Sequence, residues 1–142
     1  MRKNDKILLV TQRSIIMTEF SVFYQRNNAT HTIPFCLIQT PKHILSLHLN
    51  KILFIESRQK HSFIHTATET ITLASPLYRI LSQLPKNTFI QIHRSFIINL
   101  ENISHIDKSK DPWIVSFHGS EKIAFVSRSF RQQVIESLLS SD

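Results

Sequence analysis

A chain of 142 residues with 42% hydrophobic content is long enough for one globular domain with a real core and too short for two large ones. Lys and Arg number 17 against 10 Asp and Glu, a formal charge of +7 spread along the chain, which suits an anionic partner such as nucleic acid or an acidic membrane surface. Gly119 is the only glycine and Cys36 the only cysteine, which excludes Walker-type phosphate loops, dinucleotide fingerprints and an intrachain disulfide.

At the N-terminus, Met1-Arg2-Lys3-Asn4-Asp5-Lys6 before Ile7-Leu8-Leu9-Val10 mimics a signal peptide, but four apolar residues fall short of the ~7 to 15 that such a segment needs. No other stretch approaches the ~20 apolar residues of a membrane span, so a soluble, cytoplasmic protein is expected. Ile16, Phe20 and Phe23 fit a helix face, while Phe20, Val22 and Tyr24 equally fit a strand. Arg26-Asn27-Asn28-Ala29-Thr30-His31 reads as a linker, dividing the chain into an N-terminal extension, residues 1–32, and a domain, residues 33–142.

Short strands dominate the domain. Leu45, Leu47 and Leu49 alternate with Ser46 and His48 as in a half-buried strand, and Asn50-Lys51 marks a turn. The continuous run Ile52-Leu53-Phe54-Ile55 suits a strand covered on both faces, and the polar, basic residues 57–61 suit a loop. Residues 62–67 and 70–73 read as a hairpin around Thr68-Glu69. Ser75-Pro76 supplies a cap and first-turn proline for a helix whose apolar face is Leu77, Ile80, Leu81 and Leu84, ending at Pro85. Residues 113–118 and 122–126 flank Gly119-Ser120, where glycine can adopt the positive φ of a tight turn. Ser129 with Gln132 resembles a capping box opening a second helix, with Phe130, Val134, Ile135 and Leu138 on its apolar face. The fold class expected is mainly β with two short helices packed on the sheet.

One run stands apart: Phe89-Ile90-Gln91-Ile92-His93-Arg94-Ser95-Phe96-Ile97-Ile98-Asn99, in which an alternating strand ends in an imidazole, a guanidinium and a hydroxyl before apolar residues resume. With Ile52-Leu53-Phe54-Ile55-Glu56-Ser57 upstream and Ala124-Phe125-Val126-Ser127-Arg128 downstream, it resembles the LytTR family of bacterial DNA-binding domains, over residues 33–139 and with the blocks in the family's order. The resemblance implies a β-sheet domain that presents loops to double-stranded DNA, inserts them into the major groove at direct-repeat promoter sites and regulates transcription in the bacterial cytoplasm. It also implies a homodimer on those repeats and, in some members, a membrane-bound regulatory partner. Many members carry a phosphoacceptor receiver, which about thirty preceding residues are too few to supply, so a standalone form is expected.

Carried onto this chain, the resemblance assigns base contacts to Arg94, Arg128 and His61. An arginine fork can bind O6 and N7 of one guanine, a pairing that discriminates by ~1 to 3 kcal/mol; the plain alternative for Arg94 is a surface arginine. Arg58 and Lys60 are the phosphate partners of the first loop, against the alternative of a solvated charged turn. His93 and Ser95 could bond phosphate oxygens, although His93 equally reads as a structural histidine. Arg131 lies one helical turn beyond Arg128 near the backbone, or is an exposed helix charge. The N–H groups of a helix start at residues 127–129 would favour a nearby phosphate.

Eight histidines occur without Cys-x-x-Cys or His-Glu-x-x-His spacing, so no metal and no cofactor is expected. No Gly-x-Ser-x-Gly elbow or nucleophile, base and acid set stands out, which argues against an enzyme. The competing class is a non-catalytic protein-interaction module, or an antagonist of a related regulator, that keeps the fold without specific DNA binding.

Overall fold

The computed structural model describes residues 19–26 and 32–140. Eleven strands form three antiparallel sheets among these residues. The first sheet holds β1 (Glu19–Arg26), β2 (Thr32–Gln39) and β3 (Ile44–His48) in that order. The central sheet has five strands: β4 (Ile52–Arg58), β5 (His61–Thr66), β6 (Thr70–Leu73), β7 (Phe89–His93) and β8 (Phe96–Asn99), ordered β6-β5-β4-β8-β7. The third sheet is β9 (Ile103–Asp107), β10 (Trp113–Phe117) and β11 (Ile123–Val126), with β10 in the middle. Helix α1 (Leu77–Leu81) links β6 to β7, and α2 (Arg131–Ser140) follows β11.

The central sheet is buried on both faces, which explains the continuous apolar runs of β4 and β8. Ile97 on β8 joins a core with Cys36, Ile38, Leu45, Ile64 and Ile80, under the first sheet and α1. Its neighbours Phe96 and Ile98 point the other way, into a second core with Trp113, Val115, Val126 and Val134, under the third sheet and α2. On β4, Ile52 and Ile55 belong to the first core, yet Leu53 and Phe54 both belong to the second. A register shift between Ile52 and Phe54 accounts for this, because a bulge turns two successive side chains to one face. Complete burial of an isoleucine contributes ~1.5 to 3 kcal/mol relative to exposure, so these doubly covered strands are the main source of stability.

The N-terminal segment adopts the strand alternative. β1 pairs with β2 from Glu19 opposite Gln39 to Arg26 opposite Thr32, so the hairpin spans the boundary expected near Thr32. Phe20 is buried in the first core and Val22 packs against it. Ile16 and residues 27–31 of the expected linker lie outside the described residues.

Several local expectations are corrected. Residues 57–61 are not a loop: β4 continues to Arg58, β5 starts at His61, and these two are directly paired. The connection is a two-residue turn in which Gln59 takes the left-handed φ of 56°, unusual without glycine. Ser75 does not cap α1; Pro76 occupies the cap position, and the buried Ser75 carbonyl accepts a 2.6 Å hydrogen bond from the Ser62 hydroxyl. The α-helical part of α1 ends at Leu81, which is half-buried, whereas Ile80 and Leu84 are buried. The expected capping box is absent because the Gln132 side chain donates to Glu136 one turn ahead, at 3.1 Å. On α2 only Val134 is fully buried, with Ile135 partly so and Leu138 exposed; Phe130, partly buried, ends the 3-10 turn before the helix.

Candidate nucleic-acid interface

Three charged segments meet at one end of the central sheet, and two backbone hydrogen bonds gather them. The Ser57 N–H donates to the Ser95 carbonyl at 2.8 Å, joining the β4–β5 turn to the β7–β8 turn. The Ser127 N–H donates to the Ile92 carbonyl at 3.0 Å, laying the β11–α2 junction beside the end of β7. Thus Arg58, Lys60 and His61, then His93, Arg94 and Ser95, then Arg128 and Arg131 come from three separate sequence segments to one end of one sheet. Arg58, Lys60, Arg94 and Arg128 are exposed; His61, His93, Ser95 and Arg131 are partly covered.

The β7–β8 turn is fixed by polar contacts within itself. Ser95 N–H donates to His93 Nδ1 at 3.0 Å, which requires that nitrogen to be unprotonated and leaves the ring proton on Nε2. Partial burial and the adjoining Arg94 hold the His93 pKa below its ordinary value, favouring the same neutral form. The Gln91 amide donates to the carbonyls of His93 at 3.2 Å and Arg94 at 3.5 Å. His93 therefore holds the turn that carries Arg94, the structural half of its sequence reading.

Arg58 is supported through a relay that begins at the partly covered Lys122. Lys122 Nζ donates to the carbonyls of Thr66 and Glu69 at 2.9 and 3.0 Å and to Thr70 Oγ1 at 3.3 Å. Because that hydroxyl accepts from lysine, its own proton is directed to His65 Nδ1, 3.2 Å away. Nε2–H of His65 then donates to Glu56 Oε1 at 3.0 Å, and Glu56 Oε2 lies 3.4 Å from Arg58 Nε. The Arg58 guanidinium also sits 4.1 Å from the centre of the Phe63 ring. Burial lowers the His65 pKa despite the pull of Glu56, so this imidazole is neutral and its two nitrogens have distinct roles.

The β11–α2 junction begins with a 3-10 turn, Arg128–Phe130, before α2 proper. The Ser127 N–H is engaged by Ile92 and that of Phe130 by the Ser127 carbonyl, so these two are not available to a phosphate. Asp111, on the loop before β10, accepts from Nη2 of Arg128 through Oδ2 and from Nη2 of Arg131 through Oδ1, the latter at 3.0 Å. Arg131 is further seated 4.6 Å from the centre of the Trp113 ring. The Arg128 contact, with that of Arg131 beside it, keeps the Asp111 carboxyl below the usual carboxylate range, so it stays ionised.

Asp111, Trp113, Glu56, His65 and Lys122 had no site role in the sequence reading. Asp111 is 17 residues from Arg128 and Lys122 is 52 from Thr70, beyond any local pattern, whereas Glu56 stands two residues before Arg58, a spacing that puts both side chains on one face of a strand. Among the described residues, no three His, Cys, Asp or Glu side chains converge where a metal ion could be held, and no helix is long and apolar enough to cross a membrane.

A family model described as the LytTr DNA-binding domain matches residues 42–138. The transcriptional regulatory protein NatR of Bacillus subtilis is 28% identical over 126 residues, which are 88% of this chain and 54% of NatR. The transcriptional regulatory protein YpdB of Escherichia coli K12 is 32% identical over 65 residues, 46% of this chain and 25% of YpdB. The chain thus spans about half of the first relative and a quarter of the second. A solved LytTr DNA-binding domain from Bacillus cereus superposes with a TM-score of 0.64 at 24% identity, covering 73% of this chain and 95% of that domain. β1 and β2 both precede the segment matched by the family model.

Proposed function

Because the chain belongs to the LytTr DNA-binding domain family, we propose that it binds double-stranded DNA with base-sequence preference and regulates transcription in the cytoplasm, without enzymatic activity. Residues 33–142 carry the binding domain. The β4–β5 turn, the β7–β8 turn and the β11–α2 junction enter the major groove along one face of the duplex. Arg94, Arg128 and His61 contact base edges, and Arg58, Lys60, His93, Ser95 and Arg131 contact the phosphates that set register. The sites are direct repeats, each repeat taken by one protomer.

The observation that supports this reading most is the pair of backbone hydrogen bonds that gathers three cationic segments at one sheet end. A formal charge of +7 adds general attraction to a polyanion. Selection from a random duplex pool tests the whole reading: enrichment of a motif repeated in one orientation is expected, and a pool that remains random after successive rounds would refute it. A second reading, a protein-interaction module without specific DNA binding, draws on the internal carboxylate partners of Arg58, Arg128 and Arg131. The same selection separates the two.

A further inference from the structure

We propose that Asp111 is a specificity-determining positioning residue: its carboxylate, anchored by Arg131, holds the Arg128 guanidinium in the orientation that reads a base. This inference rests on the assignment of Arg128 as a base reader. Asp111 itself has no contact with DNA to make.

An unsupported arginine on a turn is a poor reader. Its side chain must lose rotamer freedom as it docks, and a rotating fork contacts phosphates as readily as base edges. Arg128 is 77% exposed and follows the last strand, so packing alone does not orient it. Asp111 supplies the missing constraint. Its contact uses one of the two protons on Nη2, leaving the other beside those of Nη1 to form the fork that O6 and N7 of guanine accept.

Asp111 is in turn held from behind. Arg131 donates to its second oxygen, and Arg131 is only 28% exposed, seated over Trp113, whose ring is buried in the second core. The order Trp113, Arg131, Asp111, Arg128 therefore runs outward from rigid core to mobile tip, each member fixing the next.

Charge considerations point the same way. A carboxylate on a DNA-facing surface repels phosphate and weakens nonspecific attraction, while an exposed ion pair adds little to stability. Neither the fold nor general affinity gains much from Asp111, but the geometry of Arg128 does.

The test measures binding of Asp111→Asn, Asp111→Glu and Arg128→Ala, with the Asp111→Asn, Arg128→Ala double variant, to the selected duplex, to its single-base variants and to random duplex. Asp111→Asn should lose about 5- to 100-fold of discrimination at one base pair, the one where Arg128→Ala also loses it. Affinity for random duplex should hold or rise, since a negative charge is removed. The double variant should show no further loss at that base pair, because both substitutions abolish one contact. Asp111→Glu keeps the charge and both acceptor oxygens, where asparagine keeps one and turns an NH2 donor toward the other arginine, so Asp111→Glu should retain more of the discrimination than Asp111→Asn. If Arg128→Ala loses the preference while Asp111→Asn keeps it, the inference is wrong and the base-reading role of Arg128 stands. If Arg128→Ala changes no base preference, that role fails and the inference with it. Equal loss on selected and random duplex by Asp111→Asn, with an unchanged denaturation midpoint, also overturns the proposal.

Discussion

The two ends of the central sheet use polar side chains in opposite ways. Where β8 runs out and β4 begins, the fully buried Asn99 donates to the carbonyls of Leu49 and Ile52 at 3.4 and 2.9 Å and accepts from Glu101 N–H at 2.9 Å. Asn102 donates to the carbonyls of Asn50 and Ile52, both at 2.9 Å. These amides engage the Asn50 carbonyl and the Glu101 N–H of the two flanking 3-10 turns, Leu49–Lys51 and Leu100–Asn102, and add donors to the carbonyls of Leu49 and Ile52. At the other end, Glu56 and Asp111 meet arginine side chains that reach solvent, and His93 holds the backbone of the turn that carries Arg94. One end closes the fold; the other holds cations in place for something outside it.

The comparison separates substitutions that should unfold the protein from those that should only alter its recognition. The largest effect belongs to the sheet both ends share: Ile97→Ala should cost ~2 to 5 kcal/mol, as lost transfer energy plus a cavity. Half-buried Leu81 should cost less when replaced by alanine than buried Ile80 does. Denaturant midpoints with unchanged slopes check both, and a cost for Leu81 equal to that of Ile80 would mean that α1 packs differently.

At the closed end, Asn99→Ala removes three hydrogen bonds and leaves the Glu101 N–H without its acceptor, while the Leu49 and Ile52 carbonyls keep the Ile52 N–H and Asn102 as donors, and ~1 to 3 kcal/mol of stability should disappear. DNA preference should be unaffected, measured on duplex variants at a temperature where the variant is folded. A changed base preference would erase the distinction between the ends.

At the open end, Lys60→Gln should leave stability unaltered and reduce the slope of log affinity against log salt by about one unit if it meets one phosphate. Titration at several salt concentrations on selected and random duplex gives the slope. No change in either would remove Lys60 from the interface.

The smallest effect concerns acidity. His65 and His93 both have pKa values lowered from the ordinary 6.5, His65 chiefly by burial and His93 by burial and Arg94. Between the lowered values and 6.5 the unfolded chain binds more protons than the folded one, so stability rises with pH there. Their contribution is complete above about 6.5 and is lost as pH falls through the lowered values. His65→Gln should therefore narrow the stability difference between pH 7 and pH 5, and an identical difference in parent and variant would contradict the relay built on neutral His65.

Much of this division was legible in the sequence, and the exceptions have physical causes. The unbroken run at Ile52 implied a strand covered on both faces, and the stripe from Leu77 implied a helix there. β9 was missed because Ser104 and His105 are exposed and interrupt any simple alternation. The β4–β5 connection read as a loop because strand ends that emerge into solvent look polar, and because no glycine announced the left-handed residue at Gln59. Helical spacing put Leu138 on the apolar face of α2, but the core beneath reaches only as far as Val134 and its immediate neighbours. Cationic residues were visible as candidates. The carboxylate partner of Arg128 and Arg131 was not, since Asp111 meets them only through the tertiary fold; Glu56 stands two residues before Arg58, but reading residues 57–61 as a loop hid the strand spacing that pairs them.

Whether the open end reads bases is decided by Arg94→Lys, measured on the selected duplex, its single-base variants and random duplex. Lysine keeps the charge but cannot reproduce the bidentate fork. If Arg94 reads a base, discrimination should fall by about 5- to 100-fold at one base pair, with random-duplex affinity nearly unchanged and the same denaturation midpoint. Equal losses on selected and random duplex, in a protein shown to be folded, would make Arg94 a phosphate contact and contradict base reading at this end of the sheet.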